Sequence, residues 1–223
     1  PAGSKSVEEL KQIVSWAQRP FILKGIMTAR GAEKALEAGA SGIVVSNHGG
    51  RVLDHCPATA EVLPDGVELL PLPGHCMDMV GFRTPDDVVY LADCVSSRET
   101  LEKYRIGYIY DVGAYLATLE TVEKMEARAF VPAHAEVTED IAPLARYNIE
   151  TVQEIGACIT ALCAAPLTFE ELLKALFDRY GMTMTFEQYA LVGATVRSYL
   201  TWLKDMGRVA AEFADNRMLW RRL

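Results

Sequence analysis

Apolar positions recur on one helical face between Ser6 and Gln18, at Val7, Leu10, Ile13, Val14 and Ala17, with Ser6 as N-cap and Glu9 three residues on. Pro20 ends this helix. Phe21-Ile22-Leu23 is a short apolar run of strand type that Gly25 breaks; Ala29 to Ala38 reads as a second helix stopped by Gly39, and Ser41 to Ser46 as another buried strand. Strand, helix and strand with short connections predict a βαβ unit and so a parallel pair. Parallel sheets bind ligands at the carboxyl ends of their strands. Lys24 ends the first strand, and Asn47, His48 and Arg51 follow the second.

From Pro71 the pattern changes to a polar hairpin. Met79 to Phe82 and Val88 to Leu91 read as strands around the turn Arg83-Thr84-Pro85-Asp86-Asp87. Ser96 to Lys103 predicts a short helix, Gly107 to Asp111 a Tyr-rich turn, and Val112 to Glu126 a helix with Tyr115, Leu116, Leu119, Val122 and Met125 on one face. Ala129 to Pro132 is a strand, and Ile141 to Ala164 a long helix ended by Pro166. Thr168 caps a helix over Glu170 to Tyr180, and Thr185 to Met206 is another, interrupted near Gly193. Arg208 to Phe213 and Met218 to Arg222 close the chain as a hairpin, whose tail packs through Tyr199, Trp202 and Trp220 on the core or on another subunit.

Composition narrows the function classes. The chain has 223 residues, half of them apolar, and a formal charge of −8, which argues against general affinity for nucleic acid or anionic membrane. No apolar run reaches the roughly 20 residues that span a bilayer, and the cytoplasm is the expected location. Five cysteines without a CxxC pair suit a reducing compartment, with Cys76 and Cys94 read as buried thiols.

Two constellations carry chemistry. His75 lies in a Pro-Gly-His loop before one hairpin strand and Asp93 directly after the other, so folding the hairpin brings an imidazole and a carboxylate together. In the N-terminal piece, Lys24 can offer charge to an electron-rich cofactor edge, His48 can take a proton, and Arg51 can hold a carboxylate with two parallel bonds.

The segments GHCMDMVGF, VVYLADC and RETLEKYRIGYIYDVGAYLATLETVEKMEARAFVPAHAE resemble the C-terminal half of metallo-β-lactamase-fold hydrolases, over roughly Asp65 to Leu223. The resemblance implies metal ligation by His75, Asp93 and His134, zinc (or iron or manganese) as the metal, a small-molecule substrate and a winged-helix-like tail. The family's upstream HxHxDH motif is absent; NHGGRVLDH is the nearest string, which makes Asp54 and His55 the remaining candidate ligands. The string PFILKGIMTARGAEKALEAGASGIVVSNHGGR resembles the FMN-dependent 2-hydroxy acid dehydrogenases and oxidases, a (β/α)8 barrel group, over about Ser6 to Pro64. That resemblance implies FMN contact by Lys24, general-base catalysis by His48 and carboxylate binding by Arg51.

The expected fold class is therefore α/β: a βαβ fragment (1–64) joined to half of a metallo-β-lactamase αββα sandwich (65–166) and a helical, winged-helix-like C terminus (167–223). The first functional expectation is a metal-dependent hydrolase-like protein lacking HxHxDH; the alternatives are an FMN-dependent oxidoreductase of 2-hydroxy acids and a non-catalytic chimera. Strand edges without their native partners favour a homo-oligomer.

Overall fold

The computed structural model describes residues 5–48 and 57–223. The chain divides into two compact units, Pro1–Val67 and Glu68–Leu223.

In the first unit, helix α1 (Val7–Ala17) begins at Ser6, whose hydroxyl accepts from the Glu9 amide while the Glu9 carboxylate accepts from the Ser6 amide. That reciprocal cap satisfies two amide donors that the first helical turn would otherwise leave open. Strand β1 (Ile22–Ile26), helix α2 (Ala29–Glu37) and strand β2 (Gly42–Val45) follow, and β1 pairs with β2 in parallel. Gly25 does not end the strand. It sits inside β1 at φ +98°, and the register slips between Lys24 and Ile26. The second strand is not buried: Ile43 and Val44 are about two-fifths exposed, and Ile22 and Leu36 more so. Only Ala35 and Ala38 are fully covered among the described residues of this unit, because two strands and two short helices have too little surface to enclose larger side chains.

The second unit carries the core. Strands β3 (Glu68–Pro71), β4 (Val80–Arg83), β5 (Val88–Ser96) and β6 (Ala129–His134) form one sheet in that order, with β3–β4 and β4–β5 antiparallel and β5–β6 parallel. Between β5 and β6 lie α3 (Arg98–Tyr104) and α4 (Val112–Val122); α5 (Ala142–Leu162), α6 (Phe169–Tyr180) and α7 (Phe186–Asp205) follow. The hairpin of β7 (Val209–Ala214) and β8 (Arg217–Arg222) completes the unit. Val89, Leu91 and Phe130 from the sheet, Leu119 from α4, Ile159 from α5, Leu172 from α6 and Leu200 from α7 are essentially inaccessible and belong to one core.

Four sequence expectations change here. Strand β3 carries too short an apolar run, Leu69-Leu70, to stand out; its pairing with β4 makes it a strand. Strand β5 continues past Leu91 to Ser96, so Asp93 lies within it. Helix α7 runs through Gly193 without interruption, because that glycine lies against Phe169 and Leu173, where a side chain would be in ordinary contact. Cys94 is buried, as read, but Cys76 is exposed. The aromatic tail does pack inward: Tyr199 and Trp220 are in the core and Trp202 lies against it.

No helix among the described residues is long and apolar enough to cross a membrane.

Candidate functional site

Strict alternation along β5 would put Asp93 on the same face as Val89 and Leu91, inside the core, where an unpaired carboxylate is costly. The strand avoids this at Ala92, which adopts φ +47° and marks a slip in the pairing with β6 between Tyr90 and Ser96. Beyond the slip Cys94 and Val95 are both buried, and the Asp93 side chain comes out to 39 % exposure. An irregularity of this kind re-aims a side chain.

His75 arrives from the loop before β4. Gly74 adopts φ +121°, and a Cβ there would lie 2.3 Å from the backbone of Tyr115 at the start of α4. The carbonyl of Gly74 accepts from the amides of Tyr110 and Asp111 at 2.9 and 3.0 Å, and that of Pro73 accepts from the Thr118 hydroxyl at 2.7 Å. Tyr108 sets its ring edge-on to the His75 imidazole, centroids 5.4 Å apart. His134 ends β6, and its carbonyl accepts from the Ser97 amide at 2.9 Å. Buried Asn148 of α5 fastens the same corner: its amide oxygen accepts from the Ser96 amide and its nitrogen donates to the Ser96 carbonyl.

These elements bring three of the anticipated ligands together. His134 Nε2 is 3.2 Å from Asp93 Oδ1, and His75 Nε2 is 3.6 Å from Asp93 Oδ2. The three line a cavity of about 370 Å³ with tyrosines and aliphatic side chains from α3, α4, α5 and α7, within the size range of small-molecule sites. Two imidazoles and a carboxylate suit one divalent transition ion in donor type. Asp93 turns one oxygen toward each ring, and among the described residues no group of three or more His, Cys, Asp or Glu is placed to hold a metal ion. In donor type these three described residues suit one ion and are too few for two. Asp54, His55 and Arg51 lie outside the described residues.

In the first unit Lys24 and His48 are both exposed, the former in β1 and the latter at φ +57° after β2. The His48 ring comes back over Gly25, where a Cβ would meet its Nε2 at 2.5 Å, so the KG dipeptide and the histidine do share the carboxyl end of this sheet. A flavin does not fit the described residues. The unit's cavity of about 740 Å³ is lined by neither Lys24 nor His48, and its charged side chains are Glu33 and Asp65, which repel a phosphate.

Sequence reasoning missed Gly74, Tyr108, Asn148 and Tyr199 as parts of the site. Asn148 had a signal, an amide on the inner face of an apolar helix; Tyr108 had none beyond its Tyr-rich turn.

Known proteins are similar to this chain in two ways. The family model of FMN-dependent dehydrogenases matches residues 2–90. A 2-hydroxyacid oxidase from Dictyostelium discoideum is 57 % identical over 56 residues, which is 25 % of this chain and 14 % of that protein. An FMN-dependent alpha-hydroxy acid dehydrogenase from Penicillium citrinum is 36 % identical over 106 residues, 48 % of this chain and 26 % of its own. The chain thus spans about a quarter or less of the length of these relatives. Among solved structures, a metallo-β-lactamase family protein from Thermus thermophilus is similar with a TM-score of 0.55 at 20 % identity, over 72 % of this chain and 54 % of that one. A β-lactamase domain protein from Burkholderia ambifaria gives 0.53 at 16 % identity, over 72 % and 52 %. The chain is mixed α/β and carries the metallo-β-lactamase fold in part, next to a segment similar to 2-hydroxyacid oxidases. The family-model match runs past Val67 into residues that pair within the four-stranded sheet.

Proposed function

We propose that Glu68–Leu223 is the C-terminal half of a metal-dependent hydrolase, that His75, Asp93 and His134 hold one divalent ion between them, and that turnover by these 223 residues is impaired because they contain no HxHxDH string to supply the further donors. The observation that supports this is the convergence of those three side chains, from three separate segments, at one cavity. A divalent ion there would polarise a substrate carbonyl and lower the pKa of a bound water.

The chain's own residues do the rest. Asp93 turns one carboxylate oxygen toward the Nε2 atom of each imidazole, at 3.6 Å for His75 and 3.2 Å for His134. The Gly74 loop and the Tyr108 ring restrain His75, whereas His134, 57 % exposed, has room to turn toward a ligand. Substrate would enter the cavity beside His134, with its ester, thioester or lactam carbonyl near the cluster and its remaining arm among the tyrosines.

Zinc titration of the purified chain by calorimetry, with its visible absorption spectrum, tests this reading. One weak zinc equivalent and no flavin absorbance are expected. Absence of zinc binding, or equal binding by His134→Ala, overturns it.

A further inference from the structure

Arg105 closes α3 in a backbone conformation that suits it badly. Its φ of +60° and ψ of −64°, with the Ile106 amide donating to the Tyr104 carbonyl at 2.7 Å, make it the centre of a γ-turn of the rare, strained kind. A residue of this bulk is an outlier at positive φ, where glycine carries no steric penalty. Ile106 is buried, which explains why the chain turns here; it does not explain why the turning residue is an arginine. Strain retained at one position is characteristic of functional sites. Arg105 is exposed, lines the cavity that opens at His75, Asp93 and His134, and has no side-chain hydrogen bond or ion pair among the described residues. It is the one lysine or arginine among the described residues of that lining, and Asp93, the one acid there, is turned to the two imidazoles.

We propose that Arg105 is the substrate-anchoring residue of this cavity, and that the cavity takes a small molecule with one carboxylate on the arm distal to its reacting carbonyl, held by the guanidinium. This rests on the cavity being the substrate site of the proposed hydrolase, whose substrate class it names. A guanidinium matches a carboxylate with two parallel N–H···O bonds, and its charge does not depend on pH in the working range. One arginine with no lysine beside it balances one negative charge, which suits a carboxylate better than a phosphate monoester, whose charge approaches −2. Tyr104 and Tyr108 line the same cavity and offer apolar surface to the stem of the arm, and Thr100 and Thr151 bring hydroxyls to it.

The test uses two probes of nearly equal shape, benzoate and the neutral benzamide, titrated with a chelator present into the full chain and into Arg105→Gln by ligand-observed NMR. Expected is benzoate binding that weakens about tenfold or more in Arg105→Gln, the size of one charged hydrogen bond, while benzamide binds the two proteins alike. Equal benzoate affinity in both proteins overturns the inference, as does failure of benzoate to bind. An equal loss for benzamide also overturns it, because the substitution would then have altered the shape of the cavity. Arg105→Gly, which suits the backbone of the turn, should lose benzoate as Arg105→Gln does, and retention by it counts against the anchor. Benzoate should shift the imidazole signals of His75 and His134; unshifted signals would put it in the depression beside Tyr180 and Gly181 that Arg105 also borders, and would overturn the assignment to this cavity. Phenyl phosphate should bind no more tightly than benzoate, and tighter binding refutes the carboxylate. A zinc titration of the unsubstituted chain separates the two claims: benzoate discrimination without zinc binding sinks the metal-dependent reading alone, and zinc binding without discrimination sinks this inference alone.

Discussion

His134 Nε2 lies 3.2 Å from Asp93 Oδ1 across the parallel pair β5–β6. The contact exists because β5 slips at Ala92 and because the Ser97 amide ties down the His134 carbonyl. His75 reaches the other oxygen of the same carboxylate, so one acidic side chain organises the cluster.

Removing that carboxylate should therefore do more than removing either imidazole. We expect Asp93→Asn and His134→Ala each to weaken zinc binding by about 100-fold or more, given that even groups behind a ligand are worth 10 to 100-fold. Asp93→Asn should in addition loosen the His75 ring, visible as a changed imidazole signal in NMR. A variant with unaltered zinc affinity would contradict the assignment.

Gly74→Ala should destabilise the second unit by about 3 kcal/mol, the upper end of the cost of overpacking, because the added methyl meets the Tyr115 backbone at 2.3 Å and the residue sits at φ +121°. Gly181→Ala, at φ +64° but with open space around its Cβ, should cost about 1 kcal/mol. Urea denaturation of the two variants compares them directly, and equal midpoints would show that the loop is not pinned on α4.

Stability should fall in alkali. Burial pushes the Cys94 thiol from 9.0 to about 12 and the Cys163 thiol to about 11, and it raises the Tyr115 and Tyr199 phenols above 10.0. Each group is held protonated by the fold, so its contribution is fully present below its unfolded value and is lost as pH climbs from there toward the folded value. The loss begins near pH 9 and steepens toward pH 12, at about 1.4 kcal/mol per tenfold change in proton affinity as a ceiling. Thermal melts at pH 8, 9, 10 and 11 measure it, and a flat profile would refute the burial of these groups.

Tyr199→Phe should raise the stability of the ligand-free chain by about 1 kcal/mol, since it deletes a buried hydroxyl that nothing satisfies. A loss of stability instead would show that the hydroxyl has a partner in solution.

The hairpin with its two donor residues was legible because a Pro-Gly-His loop, two short strands and a polar turn are local signals. Helix α1 and its cap were legible for the same reason. The position of Asp93 inside β5 was not, since a slip in pairing depends on the neighbouring strand and leaves only Ala92 at positive φ as its trace. Exposure of Ile43 and Val44 was likewise hidden: periodicity reports which side chains seek burial and is silent on whether enough chain exists to bury them. The cavity beside His75 was unreadable because its walls come from helices as distant in sequence as α3 and α7.

The exposed apolar side chains of the first unit bear on how the chain behaves in a cell. Ile22, Leu36, Ile43 and Val44 offer chaperones and proteases the same hydrophobic handle that unfolded chains do, on a parallel pair whose open edges invite pairing with another chain. Polar substitutions at those four positions should therefore raise the yield of soluble chain more than any change around Asp93, which comparison of the soluble fractions on expression would measure.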